Sequence, residues 1–189
     1  MALVVVLAIG PGHLIGETAE AVARGARVYD NLANVHRLGP VDDGLSQALA
    51  DDLRDCVGVA IGSSLTPPHT EERLNHLYEL TGASRDHDRL GIRVATTFSS
   101  LAKDDPHSAE SVERMNRLLY RWGAVIVSPG SVEPVVDWLD NTPGIETRAD
   151  ENTALAPTSI AAAERQGRRL GSLVAIVARA LAHQARLGL

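Results

Sequence analysis

Gly10-Pro11-Gly12-His13-Leu14 is the stretch of this chain best equipped for chemistry, and that chemistry is anion binding. Its two glycines allow a tight backbone turn. A helical pattern follows, so several backbone N–H groups converge at a helix N-terminus, where a phosphate can sit. Other candidates carry less. Ser63, Ser64, Ser99 and Ser100 have no base in register, so a nucleophile elbow is unsupported. His69, Glu72 and His76 would share a helix face, as metal ligands can, but a solvated helix surface explains them more simply. Gly10-x-Gly12-x-x-x-Gly16 has the outline of a dinucleotide fingerprint, yet His36 and Arg37 stand where its acidic residue is expected. Asp86-His87-Asp88 and Asp104-Asp105 read as polar loops, and Cys56 as an inert core thiol.

The elements around these residues follow from periodicity. Residues 2–8 form a bare apolar run, which is how a central parallel strand with helices on both faces reads. A turn over 9–16 leads into a helix over 17–26, with Ala19, Val22, Ala23 and Ala26 on the face that packs back. Residues 32–38 form a weaker strand near a sheet edge, and Leu45, Leu49 and Leu53 mark a helix within 44–55. A buried strand over 56–61 ends in a second turn, 62–70. The helix after it carries Leu74, Leu77 and Tyr78 and is capped by Gly82. A fourth strand over 92–99 ends in a third turn, 100–105. There Asp105-Pro106 opens a helix that buries Val112, Met115, Leu119 and Trp122.

A fifth strand spans 124–127. Residues 128–157 lack periodicity and read as a functional or interface loop containing Trp138. Thr158 or Ser159 then caps a long last helix with Leu170, Val174, Val177 and Leu181 on one face, where Gly167 and Gly171 imply close backbone packing. Five strands alternating with five helices give one α/β domain over 1–189. It is a three-layer sandwich around a parallel sheet, and five strands favour the flavodoxin-like order 2-1-3-4-5. Ligands of such sheets bind beyond the carboxyl ends of the strands, where the three turns converge.

At 189 residues, 44% hydrophobic and 22% charged, the composition is that of an ordinary globular protein. A net charge of -6 argues against nucleic-acid or anionic-membrane partners. Aromatics make up only 3%, a shortage for a site that must stack a planar cofactor. One cysteine excludes an internal disulfide framework. No run is apolar enough to span a membrane, and no signal peptide is evident, so a cytoplasmic location is expected.

Several strings together resemble the WrbA-type NAD(P)H:quinone oxidoreductases, FMN enzymes of the flavodoxin superfamily. They are GHLIGETAEAVARGAR, VAIGSS, ELTG, WGAVIVSPG and AAAERQGRRLGSLVAIVARAL, and the similarity runs over about residues 2–182. The resemblance implies FMN with its phosphate on Gly10, Pro11, Gly12, His13 and Leu14. It implies a ring between Ser64, Leu65 and Thr66 of the second turn and Ser99, Ser100, Leu101 and Ala102 of the third. It also implies NAD(P)H as electron donor, a quinone as acceptor, and assembly as a homodimer or homotetramer. Trp122 falls at the family's flavin-side histidine, and Arg85 near its tryptophan. Ile9 replaces the family's phosphate-binding hydroxyl residue, and the aromatic and arginine of its second turn are absent. Weak or no FMN binding is therefore expected. The alternative is a flavin-free flavodoxin-like protein that acts as a binding or assembly partner or holds another small ligand.

Overall fold

The protein is described from a computed structural model covering residues 1–39, 46–80, 94–99, 107–128, 145–146, 155 and 157–188. Its central strand β1 (Leu3–Ile9) is buried from Val4 to Ile9, each residue at most 1% exposed. Alternation divides those side chains between two cores. Val4, Val6 and Ala8 face helices α1 (His13–Arg27) and α5 (Pro157–Leu187). Val5, Leu7 and Ile9 face α2 (Gln47–Asp55), α3 (Pro67–Leu80) and α4 (His107–Arg121). Each large apolar side chain so buried is worth about 1.5–3 kcal/mol, which is why both faces of this run must be apolar.

Strands β2 (Leu32–Leu38), β3 (Gly58–Ser63), β4 (Val94–Ser99) and β5 (Val125–Ile126) complete a parallel sheet of order β2-β1-β3-β4-β5, as the alternating pattern requires. The register sets Ile9 beside Leu38 and Ser63, and Ser63 beside Ser99, so four strand ends stand level. The outer strand comes in two pieces. β5 pairs with Val94 and Ala95 at the start of β4, whereas β6 (Ile145–Glu146) pairs with Phe98 and Ser99 at its end. The 128–157 stretch, read as aperiodic loop, thus contributes a short strand.

Three helices begin differently from their sequence reading. α1 starts at His13 rather than Glu17, because Gly12 takes φ 103° at the N-cap and the earlier start buries Ile15. α3 and α5 open on Pro67 and Pro157, since proline already has a helical φ and lacks the N–H that a first turn leaves unpaired. The second turn is accordingly shorter than 62–70. Ile92, Gly82 and the Asp105-Pro106 cap lie outside the described residues.

α1 and α5 touch backbone to backbone. A Cβ on Gly25 would lie 2.1 Å from Glu164 O, and one on Gly167 2.0 Å from Val22 O. Asn31, buried below, donates from Nδ2 to Ala26 O and Gly171 O at 3.0 and 2.9 Å, which ties the ends of the pair. The glycines expected to allow close packing therefore act within the chain.

On the opposite face, Ser46 caps α2 by accepting from Leu49 N at 3.2 Å. Asp52 accepts from Asn34 Nδ2 and lies 2.8 Å from His36 Nε2, which holds α2 to the edge strand. Burial raises the Asp52 pKa, but the hydrogen bonds from Asn34 and His36 and the His36 charge outweigh it, and the net position is below 3.8. A lowered folded pKa means this contribution to stability is present above the unfolded value and lost as pH falls through the folded one.

Burial, with the nearby Asp52 charge, pushes the Cys56 thiol up to about 12. The native protein should therefore not react with a thiol-specific disulfide reagent at pH 8, and one equivalent should react once denaturant is added. Fast labelling of the folded protein would contradict this.

Candidate functional site

The first turn supplies the site's donors. Gly10 takes φ 112°, and its N–H donates to Leu38 O at 2.9 Å, which anchors the turn to the end of β2. Pro11 has no N–H, and Gly12 caps α1 without any side-chain hydrogen bond. The first-turn N–H groups of an α-helix have no intrahelical acceptor, so this uncapped start presents donors and the positive end of the helix dipole together. His13, exposed, and Leu14, half-buried, form that first turn. Thr18 closes it by donating to Leu14 O at 2.8 Å.

Arg37 packs against the first turn of α1. A Cβ on Gly16 would stand 2.7 Å from the Arg37 Cζ, so the guanidinium lies beside the fourth residue of the helix. No carboxylate among the described residues pairs with it. In sequence Arg37 figured only as the wrong residue for a dinucleotide site. The one available signal was its place beside the carboxyl end of β2.

The second turn is folded onto the first. Ser64 N donates to Ile9 O at 2.9 Å, and Ser64 Oγ donates to Pro11 O at 2.9 Å. A Cβ on Gly10 would meet Ser64 Oγ at 2.4 Å and Leu65 at 3.1 Å, so only glycine lets the two turns close this far. Beneath them, Ser63 Oγ lies 2.8 Å from Thr70 Oγ1 and accepts from Leu65 N at 3.0 Å. Leu65 O accepts from Thr70 and from Ser111, at 3.2 and 3.3 Å. Ser99, buried, donates to Ser63 O at 3.3 Å. These hydroxyls fasten the turn and are not poised as nucleophiles. Thr66, exposed before Pro67, pairs with His69 Nδ1 at 2.7 Å. Among the described residues no group of three or more His, Cys, Asp or Glu gathers as metal ligands.

The residues expected at the site therefore divide. Gly10, Pro11, Gly12, His13, Leu14, Ser64, Leu65 and Thr66 come together at the carboxyl end of the sheet, with Ser99 beneath them. Ser100, Leu101 and Ala102, with Arg85, Asp104 and Asp105, lie outside the described residues. Trp122 is not brought to the others. It follows α4 at the amino end of the sheet and stacks on Tyr78, with centroids 5.2 Å apart and planes at 11°. Phe98 is buried under Gly62, while Tyr29 and Tyr120 end helices or turns at the amino end. Of the described aromatics, none faces the turns.

No protein-family model and no curated protein sequence matches this chain. Solved structures do match along the whole length. A flavodoxin, WrbA-like protein from Agrobacterium tumefaciens aligns at TM-score 0.63 and 18% identity, over 92% of this chain and 98% of that one. Flavodoxin 2 from Bacillus cereus aligns at 0.58 and 14%, over 91% and 99%. FerB, a flavoenzyme NAD(P)H:(acceptor) oxidoreductase from Paracoccus denitrificans, aligns at 0.50 and 11%, over 91% and 98%. The fold is flavodoxin-like. At these identities the likeness speaks for the fold alone.

The described residues fit the two ends of a flavin mononucleotide unequally. The uncapped start of α1 and Arg37 suit its phosphate. The ring would find Leu65 and Thr66 but no aromatic face.

Proposed function

We propose that the chain is a flavodoxin-like FMN protein of the NAD(P)H:quinone oxidoreductase type, and that it holds its cofactor chiefly by the phosphate. The observation that carries this reading is the α1 N-terminus behind the Gly10–Gly12 turn, which has no side-chain cap, with the Arg37 guanidinium packed beside Gly16 in its first turn. Backbone N–H groups of the first turn of α1 would bind the phosphate, and Arg37 would neutralise it. Leu65 and Thr66 would border the ring. When bound, FMN takes up a hydride from a nicotinamide and passes electrons to an acceptor such as a quinone. No side-chain acid or base is needed for that chemistry, so the protein's part is to position and shield.

A second reading, a flavin-free protein with a binding role or another phosphate-bearing ligand, is favoured by the Ser64–Pro11 hydrogen bond, which closes the second turn over the first. Flavin-fluorescence titration separates the two, because saturable quenching of FMN supports the first and unchanged fluorescence the second. Arg37→Ala tests the phosphate assignment. Arg37 is exposed, so its pair with phosphate is worth about 1 kcal/mol, or roughly a fivefold loss of FMN affinity that shrinks as salt is added. An unchanged affinity would remove Arg37 from the site.

A further inference from the structure

A groove of about 400 Å³ opens at the amino end of the sheet, between the start of β1, the turn joining α1 to β2, and α5. Small-molecule sites typically measure about 300–1,000 Å³. The groove lies at the end of the sheet opposite the phosphate turn, so what it binds is independent of the flavin reading. Tyr29, Asp30 and Asn31 form one wall. α5 forms the other through Ala175, Ala178, Arg179, Ala182 and Arg186, which fall within about 100° of one helix face.

Asn31 is the rigid part of this groove, at only 6% exposed. Its Nδ2 donates to Ala26 O and Gly171 O, which fixes the amide between α1 and α5. Its Oδ1 accepts no hydrogen bond among the described residues, and it is not one of the polar atoms sealed from solvent. The carbonyl therefore opens on the groove that its residue borders. A ligand N–H offered to it replaces water at little ordering cost, since the amide is already held.

The charges on the two walls do not satisfy each other. Asp30, at φ 57°, has no cation partner among the described residues. Arg179 has no acid partner among them either. Arg186 donates from Nε to Ala182 O at 3.3 Å, which folds its arm back along the helix over the alanines. Between these charges the floor is apolar, made by Ala178, Ala182 and the Tyr29 ring. A simple anion would meet Asp30, and a simple cation would meet two arginines. A molecule carrying both charges suits both walls.

We infer that the groove binds a small zwitterion of the amino-acid class with an apolar side chain. Its ammonium group donates to Asn31 Oδ1 and to the Asp30 carboxylate. Its carboxylate accepts from the Arg179 guanidinium, and its side chain lies on Ala178 and Ala182 beside the Tyr29 ring.

An amide NMR titration of the nitrogen-labelled full chain with L-leucine should shift the backbone signals of Asn31, Ala178 and Ala182. The shifts should saturate in the millimolar range, because Asp30 and Arg179 are exposed. Isocaproate lacks the amine of leucine and isopentylamine lacks its carboxylate, so each should bind about fivefold more weakly. Asp30→Asn, which keeps a residue at ease in left-handed backbone, should remove most of the advantage of L-leucine over isocaproate. Arg179→Gln should remove most of its advantage over isopentylamine. The comparison of the three ligands on the wild type decides the matter even if a variant fails to fold. No shift at about 10 mM L-leucine overturns the inference. So does isocaproate or isopentylamine binding as well as L-leucine, or an advantage that folded variants leave unmoved.

Discussion

Gly167→Ala should lower the thermal midpoint by about 5–10 °C, although alanine is the better helix former. The propensity gain is about 1 kcal/mol. Against it stands a Cβ placed 2.0 Å from Val22 O and 3.1 Å from Ala26 N, backbone atoms of a neighbouring helix that cannot rotate away. Overpacking of this kind costs about 1–3 kcal/mol, and more where only backbone can yield. A net loss of about 2–3 kcal/mol corresponds to that shift for a domain of this size. Gly25→Ala should behave alike, its Cβ lying 2.1 Å from Glu164 O, and Gly171→Ala less severely at 2.6 Å from Ala26 O. Thermal melts of the three variants check the order, and a stabilised Gly167→Ala would show that α1 and α5 do not touch this way. The contact bears on function because α1 carries the phosphate turn.

Gly10→Ala should weaken FMN binding at least tenfold. Two effects combine at this position. The φ of 112° is costly for alanine, about 1–3 kcal/mol, and the new Cβ would lie 2.4 Å from Ser64 Oγ, so the second turn must lift off the first. Gly12 separates the two causes. It has a similar φ of 103° with nothing within 4 Å of a Cβ, so Gly12→Ala carries backbone strain alone and should do less harm. Adding Ser64→Gly to Gly10→Ala should recover part of the loss by making room. Flavin titration of the set checks this, and equal losses for Gly10→Ala and Gly12→Ala would mean the Ser64 contact is irrelevant.

The sheet could be read from residues alone where burial demanded it. Residues 4–9 are apolar on both faces because two helical layers cover them, and that fixes β1 at the centre. The first turn was legible for a related reason, since Gly10 and Gly12 stand where φ exceeds 100°. The start of α1 was misplaced because Gly12 offers no side-chain cap, and a helix without one leaves little trace in sequence. β6 was missed because two residues carry no periodicity. Trp122 was placed with the flavin by likeness to relatives. Its stacking on Tyr78 depends on α3 and α4 lying side by side, which no spacing in the chain records. Arg37 escaped because its role rests on a long side chain reaching from β2 across to α1.

Paired titrations of FMN and riboflavin test the phosphate-anchored site most directly, since the two ligands share a ring and differ in the phosphate. With no aromatic platform among the described residues, ring stacking worth about 0.5–1.5 kcal/mol is missing, so FMN should bind in the micromolar range rather than more tightly. Charge-assisted hydrogen bonds to the phosphate are worth about 1.5–3 kcal/mol, so riboflavin should bind roughly ten- to a hundredfold more weakly. Saturable FMN quenching with little or none by riboflavin is the expected result. Riboflavin binding as tightly as FMN, or no binding of either, would contradict it.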